Sequence, residues 1–436
     1  MMHDIGSKFF LGVWDPDYTS PTMSTERYDD ILLNLYWEVR ETLLAEIHEH
    51  RDSCLVLGYK GPFLSGQVDL TTVAGVEYIT FSASYIPPGE VTIKRVGLAA
   101  RAFPGSHTAN DVEYWLKKTT KEWFSKLVGD MVEPSDVSLA LTVDQAYNVV
   151  NAIEALNVPV VVCNAHRLNT VVCWMLGIAG ADKTCKNPVL EKNMKKLAAC
   201  VGKFSHSAVN NSELKTIQEL SPVFNKVSEL IRRNDTRWTT QKNMMECLLQ
   251  LKEPVVEYFR RNSNDKRRLT SHDWNVTNKV CSILDPIAEV SIKIQGAEDT
   301  YITQATFLTK EPMEIMNSEC LQIRVPDKPG MDPVPYEQVK KSELFPELET
   351  AIEVYREVME ERDMGSALNP TERISVYLDP KRKMMSEDDC IGGGNALQTM
   401  AISDAEELGH HFVGNVAENS SRTPAPSPVP VWRLQP

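Results

Sequence analysis

The chain has 436 residues, 42% of them hydrophobic, which is enough for two or three domains with full cores. No run reaches the roughly 18 to 20 uninterrupted apolar residues of a membrane span, and the N-terminal MMHDIGSKFFLGVWDPD has acidic residues and no apolar signal core. Neither a membrane partner nor secretion is therefore expected. A formal net charge of -14 argues against a protein that coats nucleic acid with its whole surface, and nine scattered cysteines read as reduced thiols of an intracellular compartment.

In chain order, the first element is RYDDILLNLYWEVRETLLAEIHEH, in which Ile31, Leu32, Leu35, Val39, Leu43 and Leu44 recur at helical intervals. This predicts one long helix packed against the following core. Its His48, His50 and Cys54 form an H-x-H-x-x-x-C pattern with no fourth ligand in sequence, so the better reading is surface histidines, and no structural zinc is expected. Three β-like runs follow, GQVDLTTVA, VEYITFSASYI and VTIKRVGLAARAF, broken at Ala74-Gly75 and Pro87-Pro88-Gly89. They predict an antiparallel meander. NDVEYWLKKTTKEWFSKLVGDM places Val112, Trp115, Leu116, Trp123, Phe124 and Leu127 on one face, an amphipathic helix opened by an Asn110 cap. VSLALTV, QAYNVVNAIEAL, VPVVVC and AHRLNTVVCWML then read as strand, helix, strand, helix, a parallel β-α-β unit with Asp144 at its carboxyl edge.

The order β-β-β-α-β-α-β-α is that of a ribonuclease-H-like core, in which the first strand lies beside the fourth. That adjacency brings Asp69 toward Asp144. Two carboxylates at the ends of neighbouring strands suit Mg²⁺ or Mn²⁺, which prefer oxygen ligands, and match two-metal phosphoryl transfer. An aspartate immediately before a helix is also an ordinary cap or turn former, and both readings stand at Asp144. Cys163 and His166, three apart at a strand-to-helix junction, share one side of the first turn. Two ligands do not make a zinc site, so by themselves they read as a buried thiol and a hydrogen-bonded imidazole.

Residues 165 to 285 hold 20 Lys and Arg against 12 Asp and Glu, a local net of +8 that leaves -22 for the rest. The clusters Lys192/Lys195/Lys196, Arg232/Arg233/Arg237, Arg260/Arg261 and Lys266/Arg267/Arg268 are candidates for phosphate contact, with solvated helix faces as the plainer reading. RRNSNDKRR is also a candidate for a weak nuclear-localisation signal. IRVPDKPGMDPVPYE reads as a proline-rich loop between helices, and Leu348, Ile352, Tyr355, Val358 and Met359 mark a further helix. After Lys383 the Gly-, Ser- and Pro-rich composition is that of a disordered tail. The expected division is an N-terminal helical segment over 1–56, a core over 57–180, a helical insertion over 181–318, a linker and helix over 319–385, and a tail over 386–436.

Several blocks resemble the hAT transposases and the host proteins derived from them. They are VDLTTVAGVEYITFSASYI, LTVDQAYNVVNAIEAL, VVCNAHRLNTVV, KKLAACVGKFSHSAVNNSELKTIQ and NDTRWTTQKNMMECLLQLKEPVVEYF, followed by LDPIAEVSIKIQGAEDTYITQATFL and ISVYLDPKRKMM. In this order they span about 25 to 385. The resemblance implies an α/β fold with a mixed five-stranded sheet, flanking helices and a large all-helical insertion. It also implies Asp69 and Asp144 as catalytic, metal-binding residues for Mg²⁺ or Mn²⁺, and Cys163 and His166 as DNA-proximal. Asp235, Arg237 and Trp238 fall in the family's Asp-x-Arg-Trp block; by itself Trp238 reads as a helix-face core residue, whereas the resemblance makes it a candidate for stacking on a displaced base, worth roughly 1 to 3 kcal/mol. Arg232 and Arg233 beside them join the expected DNA contacts.

The chain also departs from the family. It has no BED-type finger pattern, no hydrophobic dimerisation segment, and Leu70-Thr71 after Asp69 where the family has an aromatic residue. The third family acid has no counterpart, since Glu406 and Glu407 stand outside any family context. The expectation is a nuclear, DNA-binding derivative with a degenerate catalytic site. The alternative is an active Mg-dependent transposase for DNA strand cleavage and transfer. Oligomeric state is left open.

Overall fold

The computed structural model describes residues 25–362, apart from 74, 91–92, 104–106, 145, 179–184, 222–226, 234–236, 296–307 and 326–334, together with residue 403. Apart from residue 403, the expected tail lies outside the described residues, as do Asp235 and Glu406/Glu407. The architecture is α/β, with a mixed five-stranded sheet flanked by helices. The strands are β1 (Leu64–Val73), β2 (Val76–Tyr85), β3 (Lys94–Ala102), β4 (Ser138–Val143) and β5 (Val160–Val162), in the order β3-β2-β1-β4-β5. β2 and β3 pair antiparallel and β4 and β5 parallel, with Leu141 opposite Val160 and Val143 opposite Val162. β1 thus lies beside β4, the adjacency expected from the element order. Period-two burial explains the pairing, since Leu64, Gly66 and Val68 point inward while Ser65, Gln67 and Asp69 are exposed.

The chain divides into two compact units. The first comprises residues 1–66, 70–104 and 114–139. Its long helix α1 (Thr25–Val56) forms as expected, but the first part of its apolar stripe does not pack. Ile31, Leu32, Leu35 and Val39 are exposed, as are Leu33, Tyr36 and Trp37, whereas Leu43 and Leu44 are half-buried and Ile47 alone among the helix's described side chains is fully buried. Polar contacts supply much of the anchoring. Glu46 accepts the Tyr85 hydroxyl at 2.9 Å and pairs with Lys94. Arg40 donates to the Glu122 carbonyl at 2.5 Å and lies 5.0 Å over the Trp123 ring. Helix α2 (Ala109–Val128) buries Val112, Trp115, Leu116, Trp123 and Phe124. It is not opened by Asn110. A reciprocal box caps it, in which Thr108 N–H donates to Asp111 Oδ2 at 3.2 Å and Asp111 N–H to Thr108 Oγ1 at 3.3 Å. A single turn, α3 (Pro134–Val137), leads into β4.

The second unit comprises residues 67–69, 105–113 and 140 onward. Here α4 (Tyr147–Ala155) connects β4 to β5, and α5 (Asn164–Met175) follows β5. The helices α6 (Pro188–Ser205), α7 (Ala208–Glu219), α8 (Trp238–Gln250), α9 (Lys252–Arg261), α10 (Ser271–Gln295) and α11 (Glu311–Asn317) come next. The proline-rich segment read as a loop between helices instead joins two strands, β6 (Cys320–Arg324) and β7 (Tyr336–Lys340), which pair antiparallel. Helix α12 (Pro346–Glu361) buries Leu348, Ile352, Tyr355, Val358 and Met359, as its periodicity predicts. One core cluster runs from Leu168 to Met359, so the hairpin and α12 share the core of the helical segment. No helix among the described residues is long and apolar enough to cross a membrane.

Side chains on one stripe of α10 hold β6. Asn278 Nδ2 donates to the Arg324 carbonyl at 2.8 Å, Arg324 N–H donates to Ser282 Oγ at 2.9 Å, and Arg324 Nε donates to Asp285 at 2.7 Å. Glu246 accepts from both Arg324 at 2.7 Å and Lys242 at 2.6 Å, and Tyr336 donates to Asp285 at 2.7 Å. Burial opposes the Arg324 charge, but Asp285 and Glu246 outweigh it and hold the guanidinium above its ordinary pKa.

Helix α5 ends in a Schellman motif, with Gly177 N–H donating to the Trp174 carbonyl at 3.0 Å and Ile178 N–H to the Cys173 carbonyl at 2.8 Å. Gly177 has φ +73, and a Cβ there would sit 2.3 Å from the Asn187 carbonyl oxygen and 2.6 Å from the Glu191 nitrogen. Gly177→Ala is therefore expected to destabilise the protein by about 2–5 kcal/mol in urea unfolding, adding the left-handed backbone cost to that of overpacking. A change under about 0.5 kcal/mol would show that the two backbones do not meet this closely.

Candidate functional site

Asp69 lies on β1 with its side chain on the exposed face, opposite buried Val68. Asp144 follows the last residue of β4 and is half-buried. Its Oδ1 accepts the Ala146 N–H at 3.1 Å. Helix α4 begins at Tyr147 behind Ala146, whose methyl group cannot cap it, so Asp144 shapes the turn that starts the helix. The turn-forming role is present, and it engages one of the two carboxylate oxygens.

Cys163 N–H donates to the Val143 carbonyl at 2.7 Å, which ties it across to the residue preceding Asp144. The residue is half-buried and stands at the N-cap of α5 without a side-chain cap bond. His166 is exposed, and its carbonyl accepts the Thr170 hydroxyl at 3.2 Å. Two polar neighbours carry no sequence signal of their own. Arg167 is a buried cation in the same turn, and Asn148 Nδ2 donates to the His107 carbonyl at 2.6 Å beside the start of α4. Neither stands in a motif; their placement follows from the fold. Among the described residues no three of His, Cys, Asp and Glu gather as a metal cage. His50 of the N-terminal helix serves structure, its Nε2 lying 2.9 Å from the Phe63 carbonyl, and His48 pairs with Asp52 at 3.8 Å.

The structure corrects the expectation for Trp238. It is 1% exposed, in the core cluster with Leu168 and Met244, and a ring packed on both faces offers no platform for a displaced base. Its backbone N–H donates to Asn169 Oδ1 at 3.4 Å, so Asn169 of α5 caps α8 where the preceding Arg237 makes no side-chain cap bond. The Leu168-Asn169 pair is thereby explained by packing and capping.

The basic clusters divide once acids are counted. Lys195 pairs with Glu191 at 2.6 Å, Lys196 pairs with Asp273, Arg260 and Arg261 pair with Glu257 at 2.6 and 2.7 Å, and Arg267 pairs with Asp265 at 2.7 Å. The bonds from Arg260 and Arg261 pull the Glu257 carboxyl down to about 2. Arg233 is half-buried and donates to Gln241 at 3.3 Å. Arg232 and Arg237 are exposed and have no acidic partner among the described residues. Three thiols of the second unit are kept protonated, since burial pushes Cys173 up to about 11 and both Cys200 and Cys281 up to about 12.

Compared with models of known families and with curated proteins, the chain has no match.

If Asp144 shapes the start of α4 through Oδ1, Asp144→Asn should keep stability within about 0.5 kcal/mol while Asp144→Ala loses about 0.5–2 kcal/mol. Chemical unfolding of the two variants measures this, and equal stabilities would remove the turn-forming role.

Proposed function

We propose that this chain is a DNA-binding protein of hAT-transposase ancestry, built on a ribonuclease-H-like core, with a catalytic site short of its third acid. The observation that carries the reading is the sheet order, in which β1 with Asp69 neighbours β4, whose last residue Val143 immediately precedes Asp144. The tie from Cys163 to Val143 supports it, because it sets the Cys-x-x-His turn at the same strand end. The motif blocks in family order support it from the sequence side. A nucleus is the compartment that this reading implies.

DNA affinity in this reading comes from cations that the fold leaves unpaired. Among the described residues Arg232 and Arg237 meet that condition, and Arg233 adds charge beside them. Arg232→Glu with Arg233→Glu is expected to weaken binding of duplex DNA and to flatten the slope of log K against log salt by roughly 2, one unit for each phosphate no longer neutralised. Unchanged affinity and slope in a titration from low to physiological salt would remove this cluster from the interface.

The second reading, an active enzyme, is favoured by retention of both carboxylates. They fit a hard divalent cation, because they supply oxygen donors and Asp144 commits only Oδ1 to the turn. Asp69 and Asp144 would hold Mg²⁺ or Mn²⁺, which when bound activates water or a 3′ hydroxyl for strand cleavage and transfer. Mn²⁺ titration of isotopically labelled protein separates the readings. Paramagnetic broadening centred on Asp69 and Asp144, and abolished in Asp144→Ala, marks a working metal site. Absence of localised broadening leaves the binding scaffold.

A further inference from the structure

A cleft of about 660 Å³ opens in the helical segment between α9 and the start of α10. Lys252, Val255, Val256 and Phe259 line it at helical spacing along one face of α9. Arg268, Leu269 and Thr270 of the connecting loop and Ser271, Trp274 and Asn275 of the first turns of α10 complete it. Its volume lies within the roughly 300–1,000 Å³ of small-molecule sites.

The lining has a distinctive chemistry. Val255, Phe259, Leu269 and Trp274 form a packed apolar floor, each at most 5% exposed, while Val256 stands 41% exposed within it. The lining contains two cations, Lys252 and Arg268, and no carboxylate. The neighbouring cations Arg260, Arg261, Arg267 and Lys196 each have an acid, but among the described residues Lys252 and Arg268 have none. The end of α10 is not what attracts charge here. Asp273 already accepts from Thr270 N–H at 2.6 Å and pairs with Lys196, so the helix terminus is satisfied from within. What remains is uncompensated positive charge beside apolar surface, in a chain of net charge -14.

We propose that this cleft binds a small organic anion, with a ring-sized apolar body against Val256 and the floor and a phosphate, sulfonate or carboxylate head held by Lys252 and Arg268. The Ser271 hydroxyl and Asn275 amide, both exposed, supply further donors to the head. Two like charges lining one cleft repel, and an anion reverses the sign of that term. A nucleic-acid backbone would use the cations alone, whereas an apolar body is needed to use the floor. The proposal is thus independent of the DNA-binding reading.

The test is titration of the full chain, with valine methyls labelled, using 8-anilinonaphthalene-1-sulfonate and, in parallel, its uncharged analogue N-phenyl-1-naphthylamine. The sulfonate is expected to shift the Val255 and Val256 methyl signals. Lys252→Glu with Arg268→Glu should weaken that response about ten-fold or more, as removal of two charge-assisted bonds requires, while the uncharged analogue changes far less. Val256→Asp, which leaves both cations in place but adds a carboxylate to the cleft, should weaken the sulfonate likewise. Sulfonate shifts confined to other valines, such as Val39 in the exposed part of α1, would overturn the proposal. So would an affinity at Val255 and Val256 that the charge reversal leaves unchanged.

Discussion

The close passage of Gly177 against the backbone of Asn187 and Glu191 is the constraint on which the second unit depends. At this point α5 must stop and α6 must start, with the two backbones nearer than any side chain permits. Asn187 is fully buried and serves both ends. Its Nδ2 donates to the Met175 carbonyl at 2.9 Å, and its Oδ1 accepts the Leu190 N–H at 3.1 Å. One amide thus answers an orphan acceptor of one helix and an orphan donor of the next. Because α5 carries Cys163 at its first turn and Asn169 along its length, the same junction fixes the helix that faces the end of β4 and the helix that caps α8.

Elsewhere in this unit polar side chains decide where apolar elements sit. A two-stranded sheet such as β6 and β7 is marginal in isolation, and it is held by Asn278, Ser282 and Asp285 on one stripe of α10. The network joins Arg324 and Lys242 to Asp285 and Glu246, two charges of each sign, so no net charge is buried. Removing one carboxylate would leave a largely buried guanidinium partly unpaired, which costs more than the intact network contributes.

The parts legible in sequence were those where burial is one-sided. β2 alternates, α2 and α12 repeat at 3.6, and the apolar runs of β4 and β5 mark parallel strands. In α1 the residues Ile31 through Val39 are apolar on every side, so periodicity could not name the packed face, and a salt bridge at Glu46 and a stacked guanidinium at Arg40 settle it instead. The hairpin of β6 and β7 was hidden by the prolines between its strands, which read as one long loop. At the candidate site, Asp69 and Asp144 could be picked out because strand order brings them to neighbouring strands. For Trp238 the sequence left a core residue and a stacking platform side by side, since a tryptophan opening a helix has the same sequence whether its ring faces core or solvent, and burial decides for the core.

Charge shows the same limit more sharply. The excess of +8 over residues 165 to 285 describes composition, whereas affinity depends on which cations the fold leaves without acids. Glu191, Glu257, Asp265 and Asp273 claim Lys195, Arg260, Arg261, Arg267 and Lys196, neutralising much of the basic appearance. The unclaimed cations fall in different surroundings. Arg232 and Arg237 are themselves exposed, and on the proposed reading would suit a phosphate that arrives as part of a long polyanion. Lys252 and Arg268 stand over Val256 and a packed floor, where a phosphate chain alone would leave the apolar surface uncovered. On the two proposed readings the same charge would select different ligands in the two places, the distinction coming from the carbon around each cation rather than from the cations themselves.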